Sequence, residues 1–138
     1  MKLKVMLDAE AKMPTRAHAA DAGLDIYSRE DAWINAKSAH TFDTGVHIEI
    51  PEGYVGFLKS KSGLNVKGGM TSEGVIDAGY TGSIVVKMHN LSEFDREIKK
   101  GDKISQLVIL PIITPELELA DSLAESERGD KGFGSSGR

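Results

Sequence analysis

The stretch Phe42-Asp43-Thr44-Gly45-Val46-His47-Ile48-Glu49-Ile50 decides the architecture. Phe42, Val46, Ile48 and Ile50 are apolar, with the polar His47 and Glu49 between the later ones. That is the period of two by which a β-strand turns one face to a core and the other to water. Ile84, Val86 and Met88 repeat it. Between Phe94 and Pro111 a strand, a polar turn at Lys99-Lys100-Gly101-Asp102 and the apolar run Ile104 to Leu110 read as a hairpin. Thr114-Pro115-Glu116 has the chemistry of a helix start, and Leu119 and Leu123 lie four apart. Leu117 and Leu119 nevertheless alternate with charges, so the reading is a strand over Glu116 to Ala120, then linker. From Ser126 onward the composition turns to Gly, Ser and charge, with Phe133 the one large apolar side chain. Such a tail is mobile by itself. Trp33 and Phe57 read as packing residues.

The length, 138 residues, suits one domain able to bury a core without staples. The absence of cysteine excludes a disulfide scaffold, thiol chemistry and cysteine-ligated zinc, and it suits a reducing compartment, here expected to be the cytoplasm. Apolar runs are too short for a membrane span, and the first residues lack a signal peptide's apolar segment. A net charge of −4 and a pI near 5.6 argue against a stable nucleic-acid footprint, which needs a basic face. One small anionic ligand remains compatible.

Of 15 glycines, six fall between Gly63 and Gly82 and four between Gly129 and Gly137, which asks for a backbone reason. Five stretches carry possible chemistry. Ala20-Asp21-Ala22-Gly23-Leu24-Asp25 is a glycine turn entering a strand with carboxylates. Ser60-Lys61-Ser62-Gly63-Leu64 joins a cation, a hydroxyl and exposed amides, the ingredients of an anion nest, without the spacing of a P-loop. Gly74-Val75-Ile76-Asp77-Ala78-Gly79-Tyr80-Thr81-Gly82 projects a carboxylate and a ring from a tight hairpin, and the carboxylate could serve as a general base. Gly101-Asp102-Lys103-Ile104-Ser105-Gln106 places an amide among strand neighbours, where it needs partners. Arg128 to Arg138 offers arginine for phosphate, serines as donors and Phe133 for stacking. Each also has a plain structural reading as a turn, a strand or a tail. His18, His40, His47 and His89 are too scattered for a metal cluster.

Taken in order and at these separations, the five stretches resemble the five motifs of the trimeric dUTPases, from Ala20 to Gly137. The resemblance implies an all-β fold, a distorted jelly roll of the β-clip kind. It would comprise a β domain over residues 1–125 and a flexible C-terminal arm over 126–138, assembled as a homotrimer with sites between subunits. It implies hydrolysis of dUTP to dUMP and pyrophosphate with Mg²⁺, which limits uracil in DNA and supplies dUMP for thymidylate synthesis. Asp25 would hold water around a metal carried mainly by the triphosphate. Lys61, Ser62, Gly63 and Gln106 would contact phosphates. Asp77 would bind the sugar and orient the attacking water, and Tyr80 would pack on the deoxyribose. Thr71, Gly74, Val75 and Ile76 would border the uracil. In the arm, Arg128, Gly134, Ser135 and Ser136 would close on phosphate while Phe133 stacks on the base.

Two positions depart from the family pattern: Lys61 stands where arginine is usual, and Thr71 where many relatives carry asparagine. The rival readings are a related dCTP deaminase, a non-catalytic nucleotide sensor and a plain jelly-roll domain. The hairpin lacks the deaminase's glutamate arrangement, and a plain domain has no need of Arg128 to Gly137.

Overall fold

The computed structural model describes residues 1–137. They form β1 (Lys4–Leu7), β2 (Gly23–Tyr27), β3 (Ala32–Ile34), β4 (Ala39–Asp43), β5 (Val46–Glu49), β6 (Tyr54–Lys59), α1 (Ser62–Gly68), β7 (Met70–Thr71), β8 (Glu73–Ile76), β9 (Val85–Asn90), β10 (Arg96–Ile98) and β11 (Lys103–Pro111). All pairing is antiparallel. A four-stranded sheet runs β2-β11-β6-β8, a three-stranded one β4-β9-β7, and two-stranded ladders join β1 to β5 and β3 to β10. The all-β expectation holds apart from α1, whose two turns begin in the stretch that read as an anion nest or a polar turn. Among the described residues no helix is long and apolar enough to cross a membrane.

Alternation explains the layers. In β9, Val86, Met88 and Asn90 point inward while Val85, Lys87 and His89 face out. Phe42 from β4, Val46 and Ile48 from β5, and Ile26, Leu58 and Leu107 from the four-stranded sheet meet them in one core. Asn90 is fully buried, and its amide is not orphaned. Nδ2 donates to the carbonyls of Ile34 (2.9 Å), Asn35 (3.2 Å) and Phe94 (2.8 Å), while Oδ1 accepts from Ser92. One side chain thus ties β9 to the β3 and β10 segments, as a buried polar group requires.

Local patterns were misleading at the connections. The turn at Lys99–Asp102 is tight, with Asp102 N–H donating to the Lys99 carbonyl and Gly101 at φ +90°. The strands it joins do not form a hairpin, because β10 pairs with β3 and β11 lies between β2 and β6. The Gly74–Gly82 turn likewise passes from β8, paired with β6, to β9, paired with β4 and β7. Both turns carry the chain between layers: a turn fixes the reversal, whereas partnering is decided by which edge has free backbone groups. The strand expected over Glu116 to Ala120 is absent. The last backbone hydrogen bond to the body is Ile112 N–H to Gly53 O, and beyond it Leu117, Leu119 and Leu123 find no edge to pair with and are almost fully exposed. Trp33, expected to pack, faces outward on β3, since that two-stranded ladder buries only its Ile34 side. Phe57 is half-buried.

Candidate functional site

Asp25 lies mid-β2 opposite Gln106 of β11, which in turn lies opposite Lys59 of β6. Ile26 takes the core side, so Asp25 emerges on the other face, and Thr15 pairs with its backbone along the outer edge of β2. The carboxylate is 4% exposed and its two oxygens are separately held. Oδ1 meets Lys61 Nζ at 2.5 Å and Oδ2 meets Lys103 Nζ at 2.8 Å. Burial pushes this carboxyl up, but hydrogen bonds and charge from Lys103 and Lys61 outweigh it and hold the group below its ordinary range. The same contact raises the Lys103 ammonium. Two cations around one anion leave an excess of positive charge, facing the place where the second and fourth motifs meet.

Lys61 is the N-cap of α1, in extended conformation, and its carbonyl accepts the first helical bond from Asn65 N–H (2.8 Å). Ser62 and Gly63 therefore open the helix. Gln106 Nε2 donates to the Ser60 carbonyl at 3.0 Å, and Gly23 matters here because a Cβ at that position would collide with the Gln106 amide. A line of hydroxyls continues the junction: Ser60 Oγ lies 2.8 Å from Thr71 Oγ1, Ser72 Oγ donates to Ser105 Oγ at 3.1 Å, and Ser105 Oγ donates to Lys59 O at 3.0 Å. Thr71, the departure noted above, is thus tied through its hydroxyl to the second motif.

Gly74, Val75 and Ile76 lie on β8, and Asp77 follows at its end. Tyr80 N–H donates to the Asp77 carbonyl (3.2 Å), with Gly79 at φ +86° completing the turn. Tyr80 OH donates to Ser83 O at 2.9 Å. Val75, Ile76, Asp77, Tyr80 and Val85 line an open cavity of about 260 Å³. Asp77 is exposed. A larger groove of about 490 Å³, walled by Leu3, Val5, Met13, Leu24 and Ile109 among others, contains none of the candidate residues.

The first, second and fourth motifs therefore converge, and the third does not join them within one chain. Asp25 is level, across β11 and β6, with Glu73 of β8. Three strand spacings (about 14 Å) and four further residues along β8 (about 13 Å) put Asp77 on the order of 20 Å from Asp25. That exceeds the reach over which carboxylates can share one reacting phosphate. The arm residues stand apart as well. Arg128 Nε donates to the Lys131 carbonyl (2.8 Å), and Phe133 (φ +47°), Gly134, Ser135 and Ser136 form short exposed turns. Arg138 lies outside the described residues.

Lys103 is the residue sequence reasoning missed. It lies in the quoted fourth stretch, yet only the register shift between Lys103 and Ser105, opposite Tyr27 and Ile26, brings its ammonium to Asp25. No spacing rule announces that bulge. Asp25 also has a structural role. Asp25→Asn is expected to lower unfolding stability by about 1.5–3 kcal/mol at pH 7, the range for hydrogen bonds to charged groups. Because the native carboxyl is held low, its contribution is present above the unfolded value and fades as pH falls through the native one. Urea titrations of both proteins at pH 7 and pH 3 check this. The gap should shrink at the lower pH, and equal gaps would remove the ion pairs as its cause.

Comparison with known proteins bears on this arrangement. The family model for dUTPase matches residues 9–137. The deoxyuridine 5'-triphosphate nucleotidohydrolase of Clostridium tetani is 42% identical over 141 residues, covering 100% of this chain and 97% of that protein. The dUTPase of Staphylococcus bacteriophage 80alpha, solved with dUPNHPP, superposes with a TM-score of 0.95 at 38% identity, covering 99% of both chains. A mutant dUTPase from phage phi11 of S. aureus, solved with a coordinated structural Mg(II) ion, gives a TM-score of 0.85 at 33% identity, covering 91% of this chain and 100% of that one. Five motifs in order, their placement on an all-β scaffold and matches running nearly end to end leave one assignment: this chain belongs to the dUTPase family.

Proposed function

We propose that the chain hydrolyses dUTP to dUMP and pyrophosphate at sites built between copies of a homotrimer. The observation that carries this reading is the division of the motifs: a cationic cluster around Asp25 and a carboxylate-bearing turn at Asp77, each locally complete, lie too far apart to serve one nucleotide from a single chain. A closed symmetric assembly brings the turn of one copy to the cluster of another. The arm, residues 126–138 beyond the 1–125 body, then lies over the joint. The bare leucines at 117, 119 and 123 favour a path across a neighbouring subunit, because apolar side chains without partners in their own chain gain most from one.

In this site Lys61, Lys103, Gln106 and the Ser62-Gly63 amides face the phosphate chain, Arg128, Ser135 and Ser136 close on its outer end, and Phe133 covers the base. Val75, Ile76 and the backbone from Thr71 to Gly74 border the uracil and leave no room for a 5-methyl group, while Tyr80 packs on the sugar and excludes a 2′-hydroxyl. Asp77 accepts a hydrogen bond from the 3′-hydroxyl and orients the water that attacks the α-phosphorus, taking its proton. The residues fit Mg²⁺ that arrives on the triphosphate: both Asp25 oxygens are engaged by ammonium groups, which leaves Asp25 to act through water, and among the described residues no cluster of three or more acidic, His or Cys side chains is arranged as a cage. When bound, the metal supplies charge neutralisation on phosphate oxygens. Lys61 and Lys103 add positive charge as the leaving pyrophosphate develops its own. The product dUMP would feed thymidylate synthesis, removal of dUTP would limit uracil in DNA, and the cysteine-free composition suits a cytoplasmic setting.

A pyrophosphate-release assay with Mg²⁺ across dUTP, UTP, dTTP and dCTP tests the reading. The expected result is turnover of dUTP in strong preference to the other three. Equal turnover of UTP would remove the Tyr80 role, and ammonia release from dCTP would replace hydrolysis with deamination.

A further inference from the structure

His47 has no part in the nucleotide contacts above, yet it holds the turn that makes them. It lies on β5 opposite Met6 of β1, with a side chain 17% exposed. Both ring nitrogens meet acceptors: Nδ1 is 2.7 Å from the carbonyl of Thr81, the residue after Tyr80, and Nε2 is 3.0 Å from Asp8 Oδ2. Asp8 is itself fixed, its N–H donating to Gly45 O at 2.9 Å. The turn is pinned on its other side by Ser83, whose hydroxyl donates to Asp43 and accepts from Gly45 N–H at 2.9 Å. Arg29 holds Asp43 at 2.9 Å. His47 is thus, beside the carboxylates of Asp8 and Asp43, a titratable member of a clamp on the segment from Asp77 to Ser83.

We propose that His47 is a positioning residue for Asp77 and Tyr80, and that its doubly protonated ring docks their turn while the neutral ring releases it. The proposal rests on the reading that those two residues serve the nucleotide. An imidazolium donates from both nitrogens, whereas a neutral ring has one N–H for two acceptors. Asp8, the charged acceptor, takes that proton in preference. The Nδ1 lone pair then faces the Thr81 carbonyl, and the contact turns repulsive.

The surrounding charges agree with this. The Thr81 carbonyl first, then Asp8, raises the affinity of His47 for its proton against some loss from burial, and Asp43 adds to the rise. Lys4, paired with Glu49 at 2.9 Å, shares the groove of about 270 Å³ that His47 and Thr81 line. Asp77 and Tyr80 are the titratable groups of the turn itself. With the ring's native pKa above its free value, docking is complete below the free value and is lost as pH rises through the native one.

The experiment compares kcat/KM for dUTP of the wild type, His47→Asn and His47→Gln from pH 5.5 to 9, each variant as a ratio to the wild type so that titration of the substrate cancels. An asparagine amide occupies the place of Nδ1–H and keeps the Thr81 bond at every pH, whereas glutamine reaches toward Asp8 instead. The Asn ratio should stand near one at low pH and rise about three- to tenfold across the His47 titration, the worth of one hydrogen bond, with the change mainly in kcat. The Gln ratio should be lowest at low pH, where the wild-type clamp is closed. A flat Asn ratio, or Asn and Gln variants equally impaired, overturns the proposal. Imidazole nitrogen NMR on the unaltered protein gives a second reading should a variant misfold. Loss of the Nδ1 proton on titration supports the clamp, and its retention with the Nε2 proton lost overturns it. Failure of the underlying site reading is distinguishable, since it would appear as full activity in Asp77→Asn.

Discussion

Asp77→Asn should fold and assemble like the parent and lose at least ~10² in kcat, the lower end for removal of a general base. The side chain is exposed at the end of β8 and enters none of the ion pairs among the described residues, so an isosteric amide costs the fold little. On the proposed mechanism, what disappears is the capacity to accept a proton from water, and with it the orientation of that water. The loss should therefore fall on kcat, with a smaller rise in KM from the weaker contact to the 3′-hydroxyl. Pyrophosphate release, thermal unfolding and light scattering together check it. An unchanged melting point with a collapsed rate is expected, while a rate within a few-fold of the parent would exclude Asp77 as the base.

Truncation after Glu127 should leave the oligomer intact and nearly abolish turnover. Backbone hydrogen bonding to the body ends at Ile112, so the last residues contribute nothing visible to the sheets of their own chain. They do carry Arg128, Phe133, Ser135 and Ser136. Deleting the proposed phosphate donors together with the ring proposed to stack on the base is expected to exceed the ~10²–10³ typical of one lost donor to a developing oxyanion. Full activity in the truncated protein would refute the arm assignment. The two inactive proteins can also be tested against each other. If Asp77 and the arm reach one site from different subunits, denaturing and refolding an equal mixture should restore about a quarter of the parental activity, because that fraction of sites draws both intact parts. If one chain supplied everything, nothing would be restored.

The candidate site was partly legible. Asp25, Lys61, Ser62, Gln106, Asp77 and Tyr80 could be named because their stretches, taken in order, resemble the dUTPase motifs, whereas each stretch alone also reads as an ordinary turn or strand. Lys103 could not, since its approach to Asp25 depends on a bulge. His47 looked like one more scattered histidine, because its two acceptors lie 39 and 34 residues away. The role of Asp25 also widened: burial between Lys61 and Lys103 makes it a structural anion, which spacing alone does not reveal.

Alternation at Phe42 to Ile50 and Ile84 to Met88 was enough to determine β-strands and their buried faces, because strand geometry ties side-chain direction to parity along the chain. The five ordered stretches, by their resemblance to the dUTPase motifs, likewise pointed to the family. Which strands became neighbours, that two tight turns cross between layers instead of closing hairpins, and that Asp25 and Asp77 stand far apart were decided only by the tertiary structure. Strand pairing is a competition among edges distant in sequence, settled by burying all faces in one core at once, and no local pattern carries the outcome.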